Sequence, residues 1–507
     1  LKRYAGLFLL ALSLLAACAG QDPADQTEEK STSEDNVERN NNNITVSLEA
    51  EESKWSISEN LSINGWLYND SLPGEEIRVT EGDQVKVNFT NSLDEPTAVH
   101  FHGVPVDNKM DGVPGVTQNV VMPGESFTYE IDATLPGTYW YHSHQNGAEQ
   151  VIDKGLYGSF IIEEEDNNYD TDEVIMLSEV SSMMNKMDEA GMERHGMDSE
   201  GGSSHMSEMD ENMAHHDQMK EMYDTLVING KSDPKLSEVN LREGEKAKLR
   251  FVNSGLATKV IAIPHDFKVT HYDGQPVNEP ETITDHTGIR LGSAERVDIE
   301  IDASDPGAYG IEIFSNDNPE NLQAVVPLRY EGEEKEELVT QEVSDYLDIS
   351  SYGTSKDQED ILQDIDNEVE AVLGTNDGGH TYTINGKQME TDTADGHEIY
   401  EIEDGDIVKM KITNETDVDH PMHLHGSFFK VMAKNGEKVS GSPIKKDTLN
   451  VRPGEEYEIV FKADNPGNWL FHCHEFHHAG GGMVSEIKYK GFEPAETIDP
   501  GAPNQPE

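Results

Sequence analysis

Glu81-Gly82-Asp83-Gln84-Val85-Lys86-Val87-Asn88-Phe89-Thr90-Asn91 leads, nine residues on, to His100-Phe101-His102-Gly103. Val85, Val87 and Phe89 alternate with Lys86, Asn88 and Thr90. Residues two apart share one face of an extended chain, so the run reads as a half-buried strand opened by a Gly-acid turn. The same design returns as Asp404-Gly405-Asp406-Ile407-Val408-Lys409-Met410-Lys411-Ile412-Thr413-Asn414, leading to His423-Leu424-His425-Gly426. In both, the first histidine stands 18 residues after the glycine. A second pair of passages repeats that spacing. Gly124 precedes His142-Ser143-His144, and Gly454 precedes His472-Cys473-His474, again by 18 residues. A third copy lies between: Glu243-Gly244-Glu245 opens an alternating strand, but 18 residues past Gly244 stands Ala262. The middle copy keeps the scaffold and has lost the histidines. Short alternating runs bounded by Gly, Pro, Asn and Asp predict an all-β chain of antiparallel β-sandwiches.

The 507 residues exceed one hydrophobic core, and two to four domains are expected. The repeats place them at 44–165, 172–332 and 378–492, the second carrying an insertion at 181–223. The acidic stretch 333–377 reads as a linker, with a helix expected over Gln358–Leu373. Residues 19–43 read as a polar, disordered tether, and 493–507 as a tail. Lys2 and Arg3 precede the apolar run Gly6–Leu15, too short for a typical membrane span, so residues 1–18 read as an export signal. Leu15-Ala16-Ala17-Cys18 resembles a bacterial lipobox, which implies lipid attachment at Cys18. The expectation is an exported envelope lipoprotein that meets the membrane only through that anchor. Acidic residues outnumber basic ones 100 to 37, a formal charge of −63. Such a surface repels phosphate backbones, which excludes nucleic acid as a partner, and it attracts cations.

Twenty histidines placed at random would give about one His-X-His pair, by simple counting. Four occur at matched repeat positions: His100/His102, His142/His144, His423/His425 and His472/His474. Each pair offers two imidazoles on one strand face. Eight imidazoles from the first and last domains converge only if those domains face each other. Imidazole suits copper, and so many ligands suit a cluster of several ions. Cys473 points opposite to its two neighbours and is free to serve a second locus, with His420, His478 and Met483 close in sequence. One Cys, two His and a weak axial Met form the ligand set of a blue-copper centre. His265, His271 and His286 of the middle copy have no assignable partners and read as structural.

The motifs His-X-His-Gly, Trp-Tyr-His-Ser-His, His-Pro-X-His-X-His-Gly and His-Cys-His-X3-His-X4-Met resemble the four signatures of multicopper oxidases, the family of laccases and cuprous oxidases, over residues 44–492. The resemblance implies three cupredoxin-like Greek-key β-sandwich domains, the middle one without copper ligands. It implies four coppers per chain: a type 1 ion on His420, Cys473, His478 and Met483, and a type 2 ion on His100 and His423. A type 3 pair would be held by His102, His142, His144, His425, His472 and His474. Electrons from a reductant would enter at type 1 and pass through Cys473 to the cluster, where four of them reduce dioxygen to water. Met483 implies a lower potential than an apolar axial residue gives. Asp111 matches the family's acidic residue near the cluster and reads as a proton donor or relay. Where many bacterial relatives carry a second acid, after the last type 1 histidine, stands Ala479. Glu475 is close by but would be a new assignment.

Ten of the 18 methionines, with His195, His205, His215 and His216, fall between Met183 and Met222. Thioethers are soft ligands that select Cu(I), so the segment reads as a copper-collecting loop. The favoured reductant is therefore Cu(I), with phenols or aromatic amines next. Two other readings are a surface copper store without turnover and a copper nitrite reductase. Neither needs the ordered set of cluster ligands.

Overall fold

The computed structural model describes residues 36–182, 222–233, 236–284, 286–315, 318–333, 337–356, 365–376, 381–390, 396–494 and 498–506. The signal segment, most of the tether and residues 183–221 of the Met-rich insertion lie outside them. Among the described residues no helix is long and apolar enough to cross a membrane.

Among the described residues six sheets form three two-sheet sandwiches. In the first, Asn43–Ser56, Gln84–Asn91 and Ser126–Asp132 face a sheet ordered Gly74–Thr80, Tyr157–Glu163, Gly137–His142, His100–His102. Val85, Val87 and Phe89 point inward and are buried, as the alternation requires. The second and third sandwiches close over their own cores, around Leu249, Phe251 and Ile299, and around Met410, Ile412 and Phe471.

The sheets are mixed rather than purely antiparallel. Asn43–Ser56 runs parallel to Gln84–Asn91, Thr171–Val180 to Lys246–Asn253, and Asn367–Asn376 to Ile407–Asn414. In the first sandwich the intervening chain crosses to the opposite sheet and back, which gives it the length a parallel return needs.

Two sequence expectations are corrected. The helix over Gln358–Leu373 is not formed where it is described. Asn367–Asn376 is a strand of the third sandwich, with Ala371 and Leu373 buried on one face and Glu368 and Glu370 exposed on the other. The period of two outweighs the acidic composition; residues 357–364 lie outside the described set. The tether is also shorter than 19–43. Val37–Asn40 pairs antiparallel with the start of Asn43–Ser56. Asn41, at φ 51°, supplies the left-handed turn that asparagine tolerates.

The fold brings the two histidine motifs of the first sandwich, and those of the third, side by side. His100–His102 pairs antiparallel with Gly137–His142, placing His100 opposite His142. In the third sandwich His423 stands opposite His472 and Met422 opposite Cys473. In the middle sandwich the same register pairs Ala262 with Glu312. The scaffold is kept there and both histidine positions are replaced.

The first and third sandwiches meet directly. Asn108 Nδ2 donates to the Asn468 carbonyl at 2.7 Å, and Asn465 Nδ2 to that of Val106 at 3.1 Å. Residues 498–506 return to the first sandwich. There Gln145 Nε2 donates to the Pro503 carbonyl at 2.9 Å, and the Val120 N–H to Asn504 Oδ1 at 3.0 Å.

Candidate metal centre

Strands carry His100, His102, His142, His423 and His472, while His144, His425 and His474 stand just past the strand ends, and the contact between sandwiches one and three brings the motifs together. All eight paired imidazoles are buried at 2% exposure or less. Their ring nitrogens form compact groups with all atoms within 4.8 Å: His102/His142/His474, His144/His425/His472 and His100/His102/His423. All three groups draw histidines from both sandwiches. A fourth group is His420/Cys473/His478, with the sulfur 3.5 Å and 3.6 Å from the two Nδ1 atoms. Met483 is fully buried in the core that holds Cys473, and its carbonyl accepts the Cys473 N–H at 3.0 Å.

Six imidazoles are oriented from outside. His100 Nδ1 donates to the Asp111 carbonyl at 2.7 Å, His142 Nδ1 to that of Ser143 at 2.7 Å, and His472 Nδ1 to that of Cys473 at 2.9 Å. His423 Nδ1 donates to the Asp447 carbonyl at 3.0 Å, and His425 Nδ1 to Asp111 Oδ2 at 3.0 Å. His102 is reversed, its Nε2 meeting Asp447 Oδ1 at 3.1 Å. Carbonyls and carboxylates only accept, so each outer nitrogen carries the proton and each inner one a lone pair.

These inner atoms test whether copper fits. Nε2 of His100, His142 and His423 and Nδ1 of His102 are buried without a hydrogen-bond partner. Each such acceptor costs about 1–3 kcal/mol if left unsatisfied. His425 Nε2 and His472 Nε2 face each other at 3.0 Å, lone pair against lone pair. Converging, unpaired lone pairs are what a cation relieves, and outer hydrogen bonds of this kind set tautomer and basicity in metal sites. Burial, reinforced by the neighbouring imidazoles, pushes His102, His142 and His423 well below the ordinary histidine range. Burial also lowers His425, although Asp111 opposes it. Neutral imidazole is the ligating form.

Asp111 is 1% exposed. Burial alone would raise its carboxyl. Attraction to His425 and His100, with their hydrogen bonds, holds it far below the usual carboxylate range instead. In this state it accepts a proton before it can pass one on. A cavity of about 30 Å³, room for one water, is lined by His100, His423, Asp111 and Asp447. Trp140 stacks on His142 with ring centroids 4.3 Å apart, and Phe476 packs edge-on to His474 at 4.9 Å. Both keep bulk water off the imidazoles.

Glu475, which the sequence left unassigned, caps the short helix Phe476–Gly480. Its carboxylate accepts the His478 N–H at 2.9 Å and His477 Nδ1–H at 3.0 Å, and lies 3.2 Å from His478 Nε2. The stem of the Met-rich insertion stands beside this helix. Ser182 N and Oγ donate to the Asp224 carboxylate at 3.0 Å and 2.6 Å, closing the base. Tyr223 lies ring to ring with His477 at 5.6 Å, and Met222 shares a core with Phe476. Asp447 was not found from sequence, because one acid among 100 carries no signal. His265 is structural in kind, with its Nε2 2.9 Å from the Tyr330 hydroxyl.

Three family models, each described as multicopper oxidase, match residues 49–167, 202–333 and 364–491. The chain belongs to the multicopper oxidase family. This multicopper oxidase is an oxidoreductase that works with copper, dioxygen and a metal or organic reductant. It is 27% identical to multicopper oxidase MmcO of Mycobacterium tuberculosis over 499 residues, 94% of each chain. It is 26% identical to copper resistance protein A of Escherichia coli, covering 83% of this chain and 88% of that one. The crystal structure of laccase from Botrytis aclada superposes with a TM-score of 0.69 at 23% identity, covering 91% of this multicopper oxidase and 90% of the laccase. That likeness bears on the fold of cupredoxin-like domains.

Proposed function

We propose that this enzyme couples the one-electron oxidation of Cu(I) to the four-electron reduction of dioxygen. Four Cu(I), four protons and one dioxygen give four Cu(II) and two waters. The observation that carries the choice of substrate is the placement of the stem from which the Met-rich segment departs. The stem abuts His477 and the helix that bears His478, beside the Cys473 locus. Soft thioethers borne by a segment rooted at that stem would raise the local concentration of Cu(I) where its electron is needed. The similarity to a protein named for copper resistance agrees with this reading.

The groupings support one assignment of four coppers. Type 1 takes His420, Cys473, His478 and Met483; type 2 takes His100 and His423. The type 3 ions take His102/His142/His474 and His144/His425/His472. Bound copper supplies the one-electron storage that no side chain here provides. The chain's own part is placement. Cys473 faces one locus while His472 and His474, its covalent neighbours, face the other, so the two are joined through backbone. Asp111, held by the His425 N–H on one side and lining the water-sized cavity on the other, would relay protons through a water in that cavity. Attachment to an envelope membrane through Cys18 belongs to the same proposal and rests on residues 1–18 alone.

Copper stoichiometry and the visible spectrum test the assignment. Four ions per chain with an intense thiolate-to-copper band are expected, and a store without turnover would bind copper yet take up no oxygen. Removing residues 183–221, between the anchored Ser182 and Met222, tests the substrate. The Cu(I) oxidation rate at low Cu(I) should fall about tenfold or more, while phenol oxidation is kept. An unchanged Cu(I) rate would favour laccase-like oxidation of phenols or aromatic amines, the second reading, which the superposition on a laccase leaves open.

A further inference from the structure

We propose that Arg296, on the histidine-free middle sandwich, is the positioning residue that sets the imidazoles of His102 and His423 through Asp447. The proposal rests on the reading of those two histidines as copper ligands.

Arg296 opens the strand Arg296–Asp302 and is fully buried. Its guanidinium grips Asp447 with two parallel bonds, Nη1 to Oδ1 at 2.7 Å and Nη2 to Oδ2 at 2.6 Å. Its Nε donates to the Thr138 carbonyl of the first sandwich at 3.0 Å. Asp447 in turn receives both histidines, His102 Nε2 on Oδ1 at 3.1 Å and His423 Nδ1 on its carbonyl at 3.0 Å. The Thr448 hydroxyl donates to the same Oδ1 at 2.8 Å. One guanidinium therefore touches all three sandwiches, and the carboxylate it orients is the one that orients His102. The His102 and His423 rings stack with centroids 3.8 Å apart, so a rotation of either displaces the other.

A planar fork fixes the plane of a carboxylate, which a point charge cannot do. The surroundings commit to this geometry. Asp273 Oδ1 accepts the Arg296 N–H at 2.9 Å, and its Oδ2 pairs with Lys446 Nζ at 3.2 Å. Gly103, the glycine that closes the first His-X-His-Gly motif, has φ +78°. A Cβ there would collide with the Asp447 carboxylate and lie 2.6 Å from Arg296 Nη2. The glycine leaves room for the clamp. The middle sandwich, stripped of ligands, thus contributes to the centre from behind.

The test uses the copper-loaded full-length protein and two variants, Arg296→Lys and Arg296→Met. Lysine keeps the buried charge but not the fork. The thiolate-to-copper absorption should match wild type in the lysine variant, while the type 2 electron paramagnetic resonance signal changes its hyperfine splitting. Release of that copper to a mild chelator should become 10–100-fold easier, the range for loss of an outer-shell partner. An unchanged type 2 signal and release profile in Arg296→Lys would overturn the proposal, as would loss of type 1 and cluster copper together with the melting temperature. If Arg296→Met fails to fold, Asp447→Asn is the second variant and should perturb the same signal. A wild-type protein without any type 2 signal would overturn the copper assignment, and this proposal with it.

Discussion

Asp111 stands at the point where carboxylate chemistry meets the imidazole nest, with its oxygens 3.0 Å from His425 Nδ1 and 3.3 Å from His100 Nδ1. Asparagine can still accept from His425 but cannot carry a proton. Asp111→Asn is therefore expected to keep copper content and spectrum and to lower kcat roughly 10²–10⁴-fold, measured by oxygen uptake. His271 offers a second prediction at this scale, away from the metal centre. Burial, with help from Lys248 and Arg250 and against the pull of Asp298, lowers it to about 4. Unfolded histidine titrates near 6.5, so above that pH both states are neutral and the residue exerts no pH dependence. As pH falls from about 6.5 to about 4 the unfolded chain takes up a proton that the native state refuses, and stability is lost. The loss approaches roughly 2–3 kcal/mol at the acid end. His271→Asn should remove that part of the slope in denaturant melts run across this window.

At the scale of elements, Asn367–Asn376 is the sharpest check on the fold. If its faces alternate as described, Leu373→Ala costs about 2–5 kcal/mol in urea unfolding and Glu370→Ala stays within about 0.5. Equal costs would mean that the strand is misassigned. The contrast also shows what the sequence makes legible. The strand Gln84–Asn91 announces itself, because apolar and polar residues alternate cleanly and the pattern recurs at a fixed distance from each His-X-His pair. The clustering of the histidines is legible for the same reason, since alternation sends Cys473 and its neighbours to opposite faces. Asn367–Asn376 hides because its outward face is glutamate in a chain already crowded with acids, and small Ala371 marks its inward face only weakly. Arg296 and Asp447 hide for a different reason. They meet 151 positions apart, and neither spacing nor composition records a contact made only by docking separate sandwiches.

The whole molecule carries a formal charge of −63, and self-repulsion on that scale weakens the compact state. Salt shortens the reach of such charges from about 30 Å at 0.01 M to about 3 Å at 1 M. The melting temperature is therefore expected to climb steadily with sodium chloride over that range. A flat or falling profile would show that local ion pairs offset the repulsion. The imidazole nest has a consequence for how the protein is made. Half of its rings come from positions up to His144 and half from His423 onward. No growing chain can assemble this nest until the last sandwich has emerged and docked. Completion of the nest is thus a late event, and whatever metal it holds can be enclosed by all eight rings only after the third sandwich has docked on the first.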